Sequence, residues 1–264
     1  MGRTFIPMND RILVKPVERK GVDIIFCVDI SESMNAQDVK PSRIDKVKFE
    51  ISKVINSLKG DRLGIVVFSG SNFLYLPLTM DYDAAKLFVK SIDTDMISSK
   101  GTAIGQAIKT SIAAFDKESE QQKIIFLFSD GEDHSSRSLE MITTALSNDI
   151  KLHVVGVGSI KGSLIPDTKK ENIFLKDESD ELIISKLNDV FLGEISKIGE
   201  GDFLRISNSE SISEEGNAII SKGEASLISS YEFAEYDHKY QYTLFFAILF
   251  LFIAYILPSG KKVK

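Results

Sequence analysis

The chain has 264 residues, room for one sizeable globular domain and an appendage but not for two full domains. Its 32 basic and 38 acidic residues leave a net charge of −6, which argues against nucleic acid as a main partner, since phosphate binding needs a basic face. The composition, 43% hydrophobic and 27% charged, is that of an ordinary folded domain, and the single cysteine, Cys27, excludes an internal disulfide.

Residues 1–20 are polar, end in KPVERK and read as an extended lead-in. The apolar run Val22–Val28 predicts a buried first strand that holds Cys27 as a small core hydrophobe. A helical pattern follows over 42–58, with Ile44, Val47, Val54, Ile55 and Leu58 as its apolar stripe. DRLGIVVFS predicts a second strand and FLYLPLT a third, at a sheet edge because of Pro77. Helical patterns over 82–92 and 102–115 precede the strand KIIFLFSD. SLEMITTALSNDI then reads as helix, KLHVVGVG as strand, DELIISKLNDVFLGEISKIG as helix and DFLRIS as a last short strand. Strands alternating with helices of this length predict an α/β fold, doubly wound, with a mainly parallel sheet and helices on both faces.

The end of the chain differs. From Leu244 to Leu257 every residue is apolar, and Tyr242 and Thr243 bring the run close to the lower limit for a membrane span. Tyr240, Tyr242 and Tyr255 lie near its ends, where amphipathic rings favour the headgroup region. A core helix at this position would be expected to show a polar face, and this one is apolar all round. Residues 240–258 are therefore expected to be a transmembrane helix, with 229–239 as juxtamembrane linker and 259–264 as a basic tail.

Three segments carry the chemistry. In FCVDISESMN, directly after the first strand, Asp29, Ser31 and Ser33 put one carboxylate and two hydroxyls on a single tight loop. These are hard oxygen donors, suited to magnesium and poorly suited to zinc or copper. By itself the pattern is equally that of a helix N-cap. Thr102 follows Gly101 at the start of an amphipathic pattern, and Asp130 ends a second buried strand. In a doubly wound sheet, sites collect beyond the carboxyl ends of the strands, where strand order reverses. Together the five side chains could supply most of an octahedral shell.

In these residues the chain resembles the von Willebrand factor A domain, whose metal-ion-dependent adhesion site is written D-x-S-x-S, then T, then D. It is similar in particular to the bacterial aerotolerance-operon (Bat-type) membrane proteins. The matching stretches are GVDIIFCVDISESM, QDVKPSRIDKVK, GDRLGIVVFSG, LPLTMDYDAAK, GTAIGQAI, FLFSDGED and IGEGDFLRIS, and the domain so outlined covers residues 21–228. The resemblance implies magnesium or manganese at Asp29, Ser31, Ser33, Thr102 and Asp130, with a partner protein's Asp or Glu completing the shell. It implies, as partners, other Bat-type proteins and a MoxR-type AAA+ ATPase, in an envelope or stress-tolerance assembly. Many relatives have Gly where this chain has Glu32, so an extra negative charge stands beside the loop. Glu32, Glu132 and His134 are candidates for supporting contacts around the metal.

The expected location is a bacterial inner membrane with a single C-terminal span. The lysines after the span and the acidic EFAEYD before it put the C-terminus inside and the domain on the periplasmic side. No N-terminal apolar run begins an export signal, so the chain is expected to start after such a segment; a cytoplasmic, tail-anchored domain is the competing arrangement.

Other motifs argue against catalysis. GVGSIKG lacks the G-x-G-x-x-G spacing, no P-loop is present, and FSGS is not a nucleophile elbow. An aspartyl phosphotransferase would want a second Asp at the position of Ser31, whose hydroxyl cannot do that acid–base work. The expected function is thus a non-enzymatic, metal-dependent binding module. A hydrolase using the same metal, with Glu32 or Glu132 as base, and a structural domain whose site holds no metal are the alternatives.

Overall fold

The computed structural model describes residues 21–99, 101–132, 141–144, 149–168, 173–223, 248, 249 and 251. The elements below lie in a compact unit, Arg19–Glu224.

The first strand, β1 (Asp23–Asp29), is buried along its whole length. It pairs in parallel with β2 (Arg62–Phe68) on one side and β4 (Lys123–Ser129) on the other. Its continuous apolar run follows from this position, since a central parallel strand has both faces covered. Ile24, Phe26 and Val28 enter one core, and Ile25 and Cys27 the other. Burial pushes the Cys27 thiol up to about 12, which leaves it an inert core residue. Beyond β2 the edge is β3 (Asn72–Thr79), antiparallel, with Pro77 exposed. Beyond β4 come β5 (Ile150–Val157) and β8 (Phe203–Ile206), both parallel, giving the order β3-β2-β1-β4-β5-β8.

Helices α1 (Arg43–Ser57) and α2 (Tyr82–Lys90) cover one face, and α3 (Ile104–Ala114) and α4 (Asp189–Ile198) the other. A fifth helix over 213–223, α5, packs Ile219 and Ile220 into the first core. The order reverses between β1 and β4, and that crevice is where a doubly wound sheet binds ligands.

Helix α1 begins where its cap dictates. The Ser42 hydroxyl accepts the Asp45 N–H at 3.2 Å and donates to Asp45 Oδ2 at 2.8 Å. Asp45 also places a negative charge in the first turn, at the positive end of the helix dipole. Ser42→Ala is expected to cost ~1 kcal/mol of stability in chemical denaturation. An unchanged midpoint would mean that Asp45 alone fixes this end.

Several expectations need correction. Residues 180–188 are not helical. Ile184–Ser185 (β7) pairs antiparallel with Ser163–Leu164 (β6), and α4 starts only at Asp189, where the Asn188 side chain accepts the Phe191 N–H. A left-handed Asp180 at φ 65° and the β-branched pair Ile183 and Ile184 favour this extended course over a helix. Helix α2 ends at Lys90, and α3 starts at Ile104, leaving Thr102 on a loop. Helix α5 was not foreseen. Its apolar positions are few, and polar SNSESISEEG precedes them.

Of the expected helix SLEMITTALSNDI, residues 141–144 are helical, with Ile142 buried; 138–140 and 145–148 lie outside the described residues. The proposed span over 240–258 also lies outside them, except for Ile248, Leu249 and Leu251, which are helical and exposed. Among the described residues no helix is long and apolar enough to cross a membrane.

Candidate metal centre

The β1–β4 crevice brings both candidate carboxylates to adjacent strand ends. Asp29 closes β1, Asp130 follows β4, and neither side chain is exposed. Asp29 Oδ1 accepts the Ser31 N–H at 2.9 Å, a local turn that folds the chain back on itself. The Ser31 and Ser33 hydroxyls consequently meet at 3.0 Å, both buried. Asp29 Oδ2 accepts from the Ser129 hydroxyl at 2.7 Å, tying β1 to β4. Asp130 Oδ2 accepts from Arg43 Nη1 at 2.9 Å and from Ser185 Oγ at 3.2 Å, and Oδ1 accepts the Glu132 N–H at 3.3 Å.

Thr102 is half-buried, on the loop that precedes α3. Ser69, directly after β2, anchors that loop: its hydroxyl donates to the carbonyls of Ser99 and Gly101, and its own carbonyl accepts the Ala103 N–H at 2.9 Å. Because Ile30 N–H donates to the Phe68 carbonyl, the same β2 end is fixed against β1. Glu32 is exposed in the short 3-10 turn Glu32–Asn35. Glu132 Oε1 accepts the Lys186 N–H at 3.1 Å, and burial followed by the Asp130 charge raises its pKa. His134 lies outside the described residues. His153 is structural: it stacks on Phe126 and accepts the Asp202 N–H at Nδ1.

The electrostatics are those of a place that wants positive charge. Burial, and then the neighbouring Asp130 carboxylate, push the Asp29 carboxyl up to about 7 against the opposing bonds from Ser31 and Ser129. Two converging hydroxyls beside two buried carboxylates form an oxygen-only donor set. A hard dication fits it.

Three contributors were not legible as such in the sequence, Arg43, Ser129 and Ser185, nor was Asp38, which holds Arg43 from outside the centre. Arg43 carried the clearest signal among them. It sits on the buried stripe of α1 with Val47, Glu50, Ile51 and Val54, a position where a solvated arginine would not be expected.

Residues 24–132 match the von Willebrand factor type A domain. The chain belongs to the von Willebrand factor type A domain family. Among solved structures it is similar to the conserved hypothetical protein BatB from Bacteroides thetaiotaomicron, 38% identical, covering 77% of this chain and 98% of that one with a TM-score of 0.75. An aerotolerance-related membrane protein from Bacteroides fragilis is 35% identical, with 78% and 100% coverage and a TM-score of 0.71. A UPF0353 protein from Nocardia farcinica is 24% identical over 75% of this chain, which spans 62% of that relative's length.

Proposed function

We propose that this chain is a membrane-anchored protein-binding module that depends on magnesium or manganese and catalyses no reaction. The observation that carries this reading is the meeting of the Ser31 and Ser33 hydroxyls beside the buried Asp29 and Asp130. In the reading, the Ser31, Ser33 and Thr102 hydroxyls face the cation, and Asp29 and Asp130 balance its charge directly or through water. Bound there, the cation supplies an electrophilic position for an outside Asp or Glu carboxylate, which is how a net acidic domain can bind an acidic group.

The binding domain spans 21–228, with 240–258 as its membrane anchor. Similarity to an aerotolerance-related membrane protein supports association with a membrane. In the reading this is the bacterial inner membrane, with the domain on the periplasmic side because lysines follow the anchor, and other Bat-type proteins are the partners.

The test is capture of partners from membranes with magnesium and again with a chelator, using wild type and Thr102→Ala. Wild type is expected to capture a partner only with magnesium. Thr102→Ala is expected to keep metal affinity within a few fold and lose capture, because two hydroxyls and two carboxylates remain. Excess magnesium restoring capture would reduce Thr102 to one more ligand, and capture indifferent to the chelator would remove the reading.

The Asp29 pKa adds a pH dependence. Metal binding must displace the Asp29 proton, so below about pH 6 the affinity is expected to fall by about tenfold per pH unit. Calorimetric titration between pH 5 and 8 checks this.

A further inference from the structure

Arg43 is among the largest fully buried side chains, and its guanidinium reaches the candidate centre. Its Nε and Nη2 donate to the two oxygens of Asp38 at 2.9 and 2.8 Å. Nη1 donates to Asp130 Oδ2 at 2.9 Å and to Ser185 Oγ at 2.6 Å, and reaches the Ser33 carbonyl at 3.4 Å. The guanidinium lies against Gly158, where a Cβ would come within 2.7 Å of Nε. One buried cation is thus shared between a carboxylate of the candidate centre and a carboxylate outside it.

We propose that Arg43 is a built-in cation that competes with the metal for Asp130, and that Asp38 sets the strength of this competition by drawing the guanidinium charge away. The inference rests on the metal-binding reading. The physical ground is simple: a dication approaching Asp130 meets a like charge already bonded to Oδ2. Asp38 partly neutralises that charge from the far side, with its own oxygens held by the Ser159 and Val39 N–H groups at 2.7 and 3.1 Å. Asp130 keeps its bonds from Ser185 and Glu132 when the guanidinium is gone, so the carboxylate stays in place. Asp38 lies in a groove of about 460 Å³ lined also by Ser159, Lys161, Arg205 and Ile206, so the balance is open to influence from outside the centre.

Two variants of opposite sign test the proposal. Manganese is titrated into the full chain and free ion is read by electron paramagnetic resonance, with thermal melting as a second readout. Arg43→Met is expected to lower the metal-free melting temperature, because Asp38 and Asp130 lose their buried partner, yet to bind manganese at least tenfold more tightly. Asp38→Asn, which lies outside the centre, is expected to bind manganese at least threefold more weakly, since the whole guanidinium charge then falls on Asp130. A merely structural arginine would give weaker or unchanged binding in Arg43→Met, and either result there overturns the proposal, as does unchanged or tighter binding in Asp38→Asn. If Arg43→Met does not fold, Asp38→Asn decides alone, unchanged or tighter binding counting against the proposal. If wild type binds no manganese and Arg43→Met does, the built-in cation is supported and the metal-dependent function fails. If no variant binds, both fail.

Discussion

Replacing Gly158 by alanine is expected to destabilise the protein by about 2–4 kcal/mol, a large effect for one methyl group. Gly158 adopts φ 125°, a backbone conformation that L side chains rarely adopt. The added Cβ would also lie 2.7 Å from Arg43 Nε and 2.8 Å from Cζ. The guanidinium has nowhere to retreat, because Asp38, Asp130 and Ser185 hold it at full burial. The backbone strain and the steric clash therefore add. Urea denaturation measures the sum, and a variant as stable as wild type would show that the Arg43 network yields far more readily than its contacts indicate.

Asp29→Asn is expected to weaken magnesium binding more than a hundredfold, because the carboxylate at the end of β1 supplies charge that no neighbour replaces. Its effect on the metal-free protein runs the other way. The folded-state pKa of about 7 is raised above the unfolded value near 3.8, so the ionised carboxylate is disfavoured on folding. The contribution of Asp29 to stability is fully present below about pH 4 and is lost as pH rises to about 7. A shift of this size corresponds to on the order of 4 kcal/mol as an upper bound, reduced by whatever the chain relaxes. The asparagine cannot ionise, so metal-free melting temperatures for the variant should fall less between pH 4 and 8 than those of wild type. Parallel melting curves across that range would mean that Asp29 is not the group that titrates.

These two positions also show what the sequence could and could not convey. Asp29, Ser31 and Ser33 were legible because strand, turn and hydroxyls follow one another within five residues, and local turn chemistry alone brings the hydroxyls together. Asp130 was legible for the same kind of reason, since a buried apolar run delivered it to a strand end. The mainly parallel sheet follows from alternating strands and helices, and Pro77 marks the third strand as an edge, whereas the strand order is visible only in the structure. Arg43 and Ser185 were not assigned to the centre. Their roles depend on contacts 87 and 55 residues away along the chain, and no periodicity encodes a partner at that distance. The apolar residues over 180–188 fit helical spacing. The β-branched Ile183 and Ile184 favour an extended course instead, and pairing with Ser163–Leu164 fixes it and brings Ser185 to Asp130. In the sequence Gly158 is one glycine of GVGSIKG, a stretch without nucleotide-loop spacing. Its requirement comes from an arginine that arrives from α1.

Crystals of the domain soaked in manganese and measured at the manganese absorption edge provide the most direct test. The account predicts one strong anomalous peak per chain, beyond the carboxyl ends of β1 and β4 and within bonding reach of the Ser31 and Ser33 hydroxyls. A peak elsewhere, or no peak at a soak concentration that saturates binding in solution, would contradict it.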